Sequence, residues 1–173
     1  RGYDSKLIIT AAGRLANMNM TCIANNTEKY MTIGMGQIQF IDSLQFMNSS
    51  LDTLAKNLPD DKKRVTKEFT DPKHFSLLTQ KGVFPYEWLD SCEKLDFKSF
   101  PPRSAFKSTL TKKDISEAEY LRGKVIWKEL GCERFRDYLD AYLETDVYLL
   151  ADVFENFRDT SMEYYGLDPA HFY

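Results

Sequence analysis

A phenol and a carboxylate four residues apart, Tyr142 and Asp146, stand inside the most regular hydrophobic stretch of this 173-residue sequence. Apolar residues recur there at helical spacing: Phe135, Tyr138, Leu139, Tyr142, Leu143, Val147, Leu150, Val153, Phe154 and Phe157. The pattern predicts one long helix from about Arg134 to Tyr164, stopped at Gly166 and Pro169. Residues four apart on a helix share a face, with Cβ atoms about 5–6 Å apart. The Tyr142 hydroxyl and the Asp146 carboxylate are therefore expected to point the same way, toward the core. Burying an ionised carboxylate is costly unless something compensates its charge. A salt bridge or hydrogen-bond network would do so. A hard cation such as Mg²⁺, which prefers oxygen ligands, is the alternative compensation. Spacing alone leaves both open.

The elements that must position this pair are uneven in clarity. An apolar cluster (Leu7, Ile8, Ile9, Ala11, Ala12) suits a short helix from Asp4 to Leu15. Strand-like stretches follow at 21–24, 29–34 and 37–42, with turns at Asn25-Asn26 and at Gly34-Met35-Gly36. They make a small antiparallel meander. Ser49 and Ser50 precede Leu51, Leu54 and Leu58, a helical stripe with a serine cap. Residues 59–112 read as irregular and polar, with short helices near 62–69 and 72–79, and with Pro101-Pro102 as a linker or exposed loop. A helix from about Asp114 to Leu130 carries Ser116 and Glu119 at capping-box spacing. The fold class is α/β or α+β: a small sheet, flanking helices, and a long late helix packed on the sheet.

Composition narrows the function. With 43% hydrophobic and 14% aromatic residues, the chain is expected to fold rather than stay disordered. Its net charge of −3 excludes a global positive field, so any DNA contact falls to local clusters. Lys62, Lys63, Arg64 and Lys67 form one, and Arg103, Lys107, Lys112 and Lys113 another; without further evidence, such clusters are more often solvated faces. Cys22, Cys92 and Cys132 are odd in number and widely spaced, which suits a reducing compartment without disulfides or a zinc site. No apolar run approaches the roughly 18–20 residues of a membrane span, and no signal-peptide pattern opens the chain. It starts at Arg1 in what reads as the middle of an element, as an internal piece would.

Four segments, in one order, carry a resemblance. Tyr142-Leu143-Glu144-Thr145-Asp146 matches Tyr-x-x-x-Asp, the third exonuclease motif of proofreading DNA polymerases. Arg1-Gly2-Tyr3-Asp4, followed by Leu7-Ile8-Ile9, resembles the end of the second motif, where an aromatic–Asp pair begins a helix. Ser43-Leu44-Gln45-Phe46-Met47 resembles the Ser/Thr-Leu motif of the protein-primed group, and Lys81-Gly82-Val83-Phe84-Pro85-Tyr86 its lysine motif. Phe40–Leu44, Asp146–Arg158 and Tyr164–Pro169 also look like segments of the organellar, viral and transposon-borne branch. The chain thus resembles an internal part of a protein-primed family B DNA polymerase. The interval from Lys81 to Tyr142 is longer than in compact phage members, with the excess around residues 90–130.

That resemblance implies an incomplete ribonuclease-H-like 3′–5′ exonuclease domain over residues 1–165. Residues 90–130 would be a branch-specific insertion, and 166–173 would lead toward a polymerase domain. It implies two Mg²⁺ or Mn²⁺ ions, with Asp4 and Asp146 as two of four carboxylate ligands, the others belonging to an upstream Asp-x-Glu. Tyr142 would position the attacking water, Lys81 would place positive charge at the scissile phosphate, and Tyr86 would orient that segment. Tyr3, Ser43 and Leu44 would hold the single-stranded primer 3′ end. A priming terminal protein is the implied further partner, no membrane is, and nucleotide addition would belong to the parent enzyme. The chain alone, with half the metal cage, would be a poor nuclease. A stand-alone ribonuclease-H-like nuclease and a non-catalytic module binding DNA or a priming protein are the competing readings.

Overall fold

Alternating apolar residues and a glycine turn build the sheet near the N-terminus. In the computed structural model, which describes residues 3–14, 19–24, 30–109, 112 and 114–172, strands β1 (Met20–Ala24), β2 (Tyr30–Met35) and β3 (Ile38–Ile41) form an antiparallel meander in the order β1-β2-β3. Met20 pairs with Met35, and Met35 in turn with Ile38. The turn between β2 and β3 is Gly36-Gln37, one step later than expected. Gly34 and Met35 pair within the ladder, and Gly36 takes the positive φ of 60° that a tight hairpin demands. The Asn25-Asn26 turn lies outside the described residues. Helix α1 (Tyr3–Ala12) precedes the sheet, and its Ala12 is buried.

The chain divides into two compact units, Arg1–Ser49 with Phe157–Tyr173, and Ser50–Asn156. The first holds α1 and the sheet. Ile33 and Thr32 on β2 are its buried strand residues, while β1 is exposed throughout. Phe46 and Phe157 meet in this unit, ring centres 6.0 Å apart.

The second unit holds α2 (Leu51–Asn57), α3 (Arg64–Phe69), α4 (Phe75–Leu78), α5 (Glu117–Glu129) and most of α6 (Phe135–Tyr165). Ser50 caps α2 by accepting from the Thr53 amide, and Ser116 with Glu119 closes a reciprocal capping box on α5. Helix α5 stops where Gly131 adopts φ of 65°. The Gly131 and Cys132 amides turn back onto the Lys128 and Trp127 carbonyls, the bond pattern of a Schellman stop. This sends the chain straight into α6. Its first turn is tied by Asp137, which accepts from the Glu133 and Arg134 amides.

The core of this unit is aromatic. Phe135 and Tyr138 of α6 and Ile126 of α5 are buried at its centre, ringed by Phe84, Trp88, Phe100 and Trp127. Trp88 meets Phe135 edge-on at 5.1 Å, and Phe100 meets Tyr138 edge-on at 5.2 Å. Such pairs add about 0.5–1.5 kcal/mol each beyond burial. Two sequence expectations are corrected here. Segment 59–112 supplies much of the aromatic wall. Within it Pro101 is fully buried and accepts a hydrogen bond from the Tyr120 hydroxyl, so it is no linker. The stripe on α6 is also narrower than its apolar residues suggest. Phe135, Tyr138, Tyr142, Thr145, Leu149 and Val153 are buried, whereas Leu143, Val147 and Leu150 are exposed. More than one face of α6 is apolar, so periodicity alone could not choose among them.

The overall architecture is mixed α+β: a three-stranded antiparallel sheet with helices, including the long α6. Among the described residues, no helix is long and apolar enough to cross a membrane.

Candidate active site

Tyr142 and Asp146 sit one turn apart on α6, as the spacing requires, and the segment after α4 brings Lys81 and Tyr86 to them. The Lys81 ammonium pairs with the Asp146 carboxylate, and the Tyr86 and Tyr142 hydroxyls share a hydrogen bond. Lys81 Nζ also lies 5.1 Å from the centre of the Tyr142 ring, in cation–π range. Phe84 tilts against the Tyr142 ring, centres 4.8 Å apart, and holds its plane. Four residues from two distant stretches, 56 and 65 positions apart in sequence, therefore form one cluster.

Burial differs sharply within it. Tyr142 is buried, Lys81 and Asp146 are partly exposed, and Tyr86 is open to solvent. Removal from water pushes the Tyr142 hydroxyl well above the ordinary tyrosine range, and the bond with Tyr86 and the negative charge of Asp146 push it further. The phenol is therefore neutral at any physiological pH. It can orient a polar ligand by hydrogen bonding, but it cannot serve as a phenolate base.

Asp146 has one satisfied oxygen and one that is not. Oδ2 faces Lys81, while Oδ1 is buried without a hydrogen-bond partner among the described residues. A buried acceptor left unmatched costs about 1–3 kcal/mol, so this oxygen calls for a donor or a cation. It offers one coordination position to a hard divalent ion. No cluster of three or more His, Cys, Asp or Glu side chains stands ready to hold a metal among the described residues.

The loop carrying Lys81 is held by side chains because residues 81–85 belong to no helix or strand. Arg122 of α5 donates to the Lys81, Gln80 and Leu77 carbonyls at 3.0, 2.7 and 3.3 Å. Tyr138 of α6 donates to the Val83 carbonyl at 2.7 Å. At Gly82 the backbone runs so close to α6 that a Cβ would stand 2.9 Å from the Tyr142 ring. An open cavity of about 410 Å³ adjoins this loop, lined by Lys81, Gln80, Arg122, Glu119 and Lys56 among others.

The remaining sequence candidates belong to the first unit. Ser43 and Leu44 lie half-buried in a short 3₁₀ turn capped by Asp42, whose carboxylate accepts from the Leu44 amide at 3.0 Å. The backbone of Tyr3 and Asp4 opens α1, and their side chains lie outside the described residues. Of the basic clusters, Lys63 is buried against Asp60 and is no surface contact, while Lys62 and Lys67 are exposed. Sequence reasoning missed Arg122, an unremarkable cation in a charged helix. It also missed Asp152, whose carboxylate is almost fully buried and accepts from the Val65 and Thr66 amides and the Thr66 hydroxyl. Both serve backbone groups far away in sequence, which no local pattern reports.

No protein-family model, no curated protein and no solved structure matches the chain.

Proposed function

We propose that this chain is an internal part of the proofreading 3′–5′ exonuclease domain of a protein-primed family B DNA polymerase, removing mispaired nucleotides from a primer 3′ end. One observation carries the reading: Lys81, Tyr86, Tyr142 and Asp146, drawn from two motifs of that family, meet in a single cluster. The residues suit the roles the reaction needs. Hydrolysis of a phosphodiester requires an oriented water and positive charge where the leaving oxygen develops. Tyr142, neutral and fixed by Phe84 and Tyr86, orients that water. Lys81 supplies the charge, and Tyr86 buttresses the phenol.

The ribonuclease-H-like fold and the metal chemistry belong to the same proposal. Oδ1 of Asp146 would take one position on a Mg²⁺ or Mn²⁺ ion, and Asp4 is the second acid the resemblance assigns to the pair. When bound, two such ions activate the attacking water and stabilise the leaving 3′ oxygen. Tyr3, Ser43 and Leu44 would hold the unpaired primer end, by stacking and backbone contacts.

The test uses the full-length protein and a 5′-labelled single-stranded oligonucleotide with Mg²⁺. We expect stepwise 3′ trimming, reduced at least about a hundredfold in D146A. Affinity for the same strand in Ca²⁺ should change little. Trimming by D146A at the unaltered rate would end the reading. An intact protein that binds the strand without trimming it would be the non-catalytic module instead.

A further inference from the structure

We infer that Arg122 is the positioning residue for the Lys81 ammonium, so that α5 sets the geometry of a site to which it contributes no reacting group. The inference deepens the reading above and rests on it for its catalytic meaning, though not for its structural content.

The argument begins with what a loop lacks. Between the end of α4 at Leu78 and the turn at Tyr86, the chain makes no ladder and no helix. Its carbonyls must find partners elsewhere or face water. Arg122 supplies partners for two of these carbonyls and for one in the last turn of α4. Its planar fork reaches the Leu77 carbonyl at the end of α4, then those of Gln80 and Lys81. An ammonium is a single point of charge on a flexible stem, whereas a guanidinium presents several donors in fixed directions. The guanidinium, with its donors spread in fixed directions, ties these three carbonyls into one arrangement.

The same loop is also held by packing and by a tyrosine hydroxyl. Gly82 lies against the Tyr142 ring with no room for a Cβ, and the Val83 carbonyl is held by the Tyr138 hydroxyl. Helix α5 approaches closely enough to clamp the loop because Gly123 follows Arg122. A Cβ there would stand 2.7 Å from Phe100 and 3.0 Å from Val83. The Lys81 backbone is thus gripped between Arg122 of α5 and Tyr142 of α6. From that fixed origin its side chain spans to Asp146. The grip is needed because Lys81 is partly exposed, and an exposed lysine otherwise samples many rotamers.

The experiment separates this inference from the exonuclease reading. The full-length protein, R122A and R122K are acylated competitively with acetic anhydride, and each lysine is quantified by peptide mass spectrometry. We expect Lys81 to be protected relative to exposed Lys128 in the unaltered protein. In R122A its labelling should rise severalfold toward that of Lys128, with R122K between the two. Buried Lys63 is the control for general loosening, and its labelling should not move. In the trimming assay, kcat should fall about 10–100-fold with KM nearly unchanged, the signature of a displaced catalytic group. Unchanged Lys81 labelling in folded R122A overturns the inference, as does a parallel rise at Lys63. If R122A does not fold, R122K alone decides by the same criterion. If the unaltered protein trims nothing, the exonuclease reading fails, and the labelling still judges the clamp.

Discussion

Tyr142 and Tyr138 show how far a single side chain is governed by where the helix puts it. Both hydroxyls are shifted upward chiefly by burial, and Tyr142 further by the Tyr86 bond and the Asp146 charge. The sign of the consequence follows from linkage. Below pH 10 both phenols are neutral in the folded and unfolded chain alike, and the stability tied to them is fully present. Above pH 10 the unfolded chain releases these protons while the folded one keeps them, so stability falls. Each group accounts for a loss of about 1.4 kcal/mol per pH unit. Urea unfolding followed from pH 8 to pH 11 should therefore show a steep alkaline decline, made shallower in Y142F. Phenolate absorbance near 295 nm should show these two tyrosines silent until the chain unfolds. Ionisation of all ten tyrosines in the folded protein near pH 10 would contradict the burial argument. At this scale the sequence was informative where a residue sits on a regular helix, as Tyr142 and Asp146 do. It said nothing of Arg122, because a cation that serves loop carbonyls leaves no periodic trace.

Among the elements, two caps show why position in the fold outweighs the identity of the capping residue. The capping box of Ser116 and Glu119 on α5 is exposed and local, and it was readable from a three-residue spacing. Helix α3 has no side-chain cap of its own. Its first amides are satisfied by Asp152, reaching from α6 across 86 and 87 positions of sequence. Removing the first cap leaves amides that water can reach, at a cost of about 1 kcal/mol. Removing the second strands three donors in the interior and should cost about 3 kcal/mol or more. Urea denaturation of S116A and D152A compares them directly; a D152A no weaker than S116A would show that the interior cap contributes no more than the exposed one. The same contrast explains the α6 stripe. Asp152 breaks the apolar pattern yet is buried, while Val147 completes it and is exposed. Hydrophobicity marks which residues can be buried, and the partners of each face decide which are.

For the molecule as a whole, the least legible region proved the most consequential. Segment 59–112 has no sustained period, because Phe84, Trp88, Phe97, Phe100 and Phe106 each lie in a loop or a short 3₁₀ turn. A side chain so placed can enter a core without leaving a 3.6- or 2-residue rhythm in the sequence. Together these rings meet α5 and α6 in a web of contacts, including Phe84 with Phe135 at 5.6 Å and Phe100 with Trp127 at 6.0 Å. The cluster of Lys81, Tyr86, Tyr142 and Asp146 rests on that web, and all of it falls within Ser50–Asn156. A unit with its own aromatic core and its own helix caps contains what an independent fold requires. We therefore expect residues 50–156, expressed alone, to give strong near-UV circular dichroism and one cooperative urea transition. The slope should be about 1 kcal/mol per M or more, as befits a domain near this size. The shortened α6 keeps Phe135 through Asp152, so the α3 cap and the phenol pair survive the truncation. A featureless near-UV spectrum with a broad transition would mean that the aromatic web closes only with the sheet-bearing remainder of the chain.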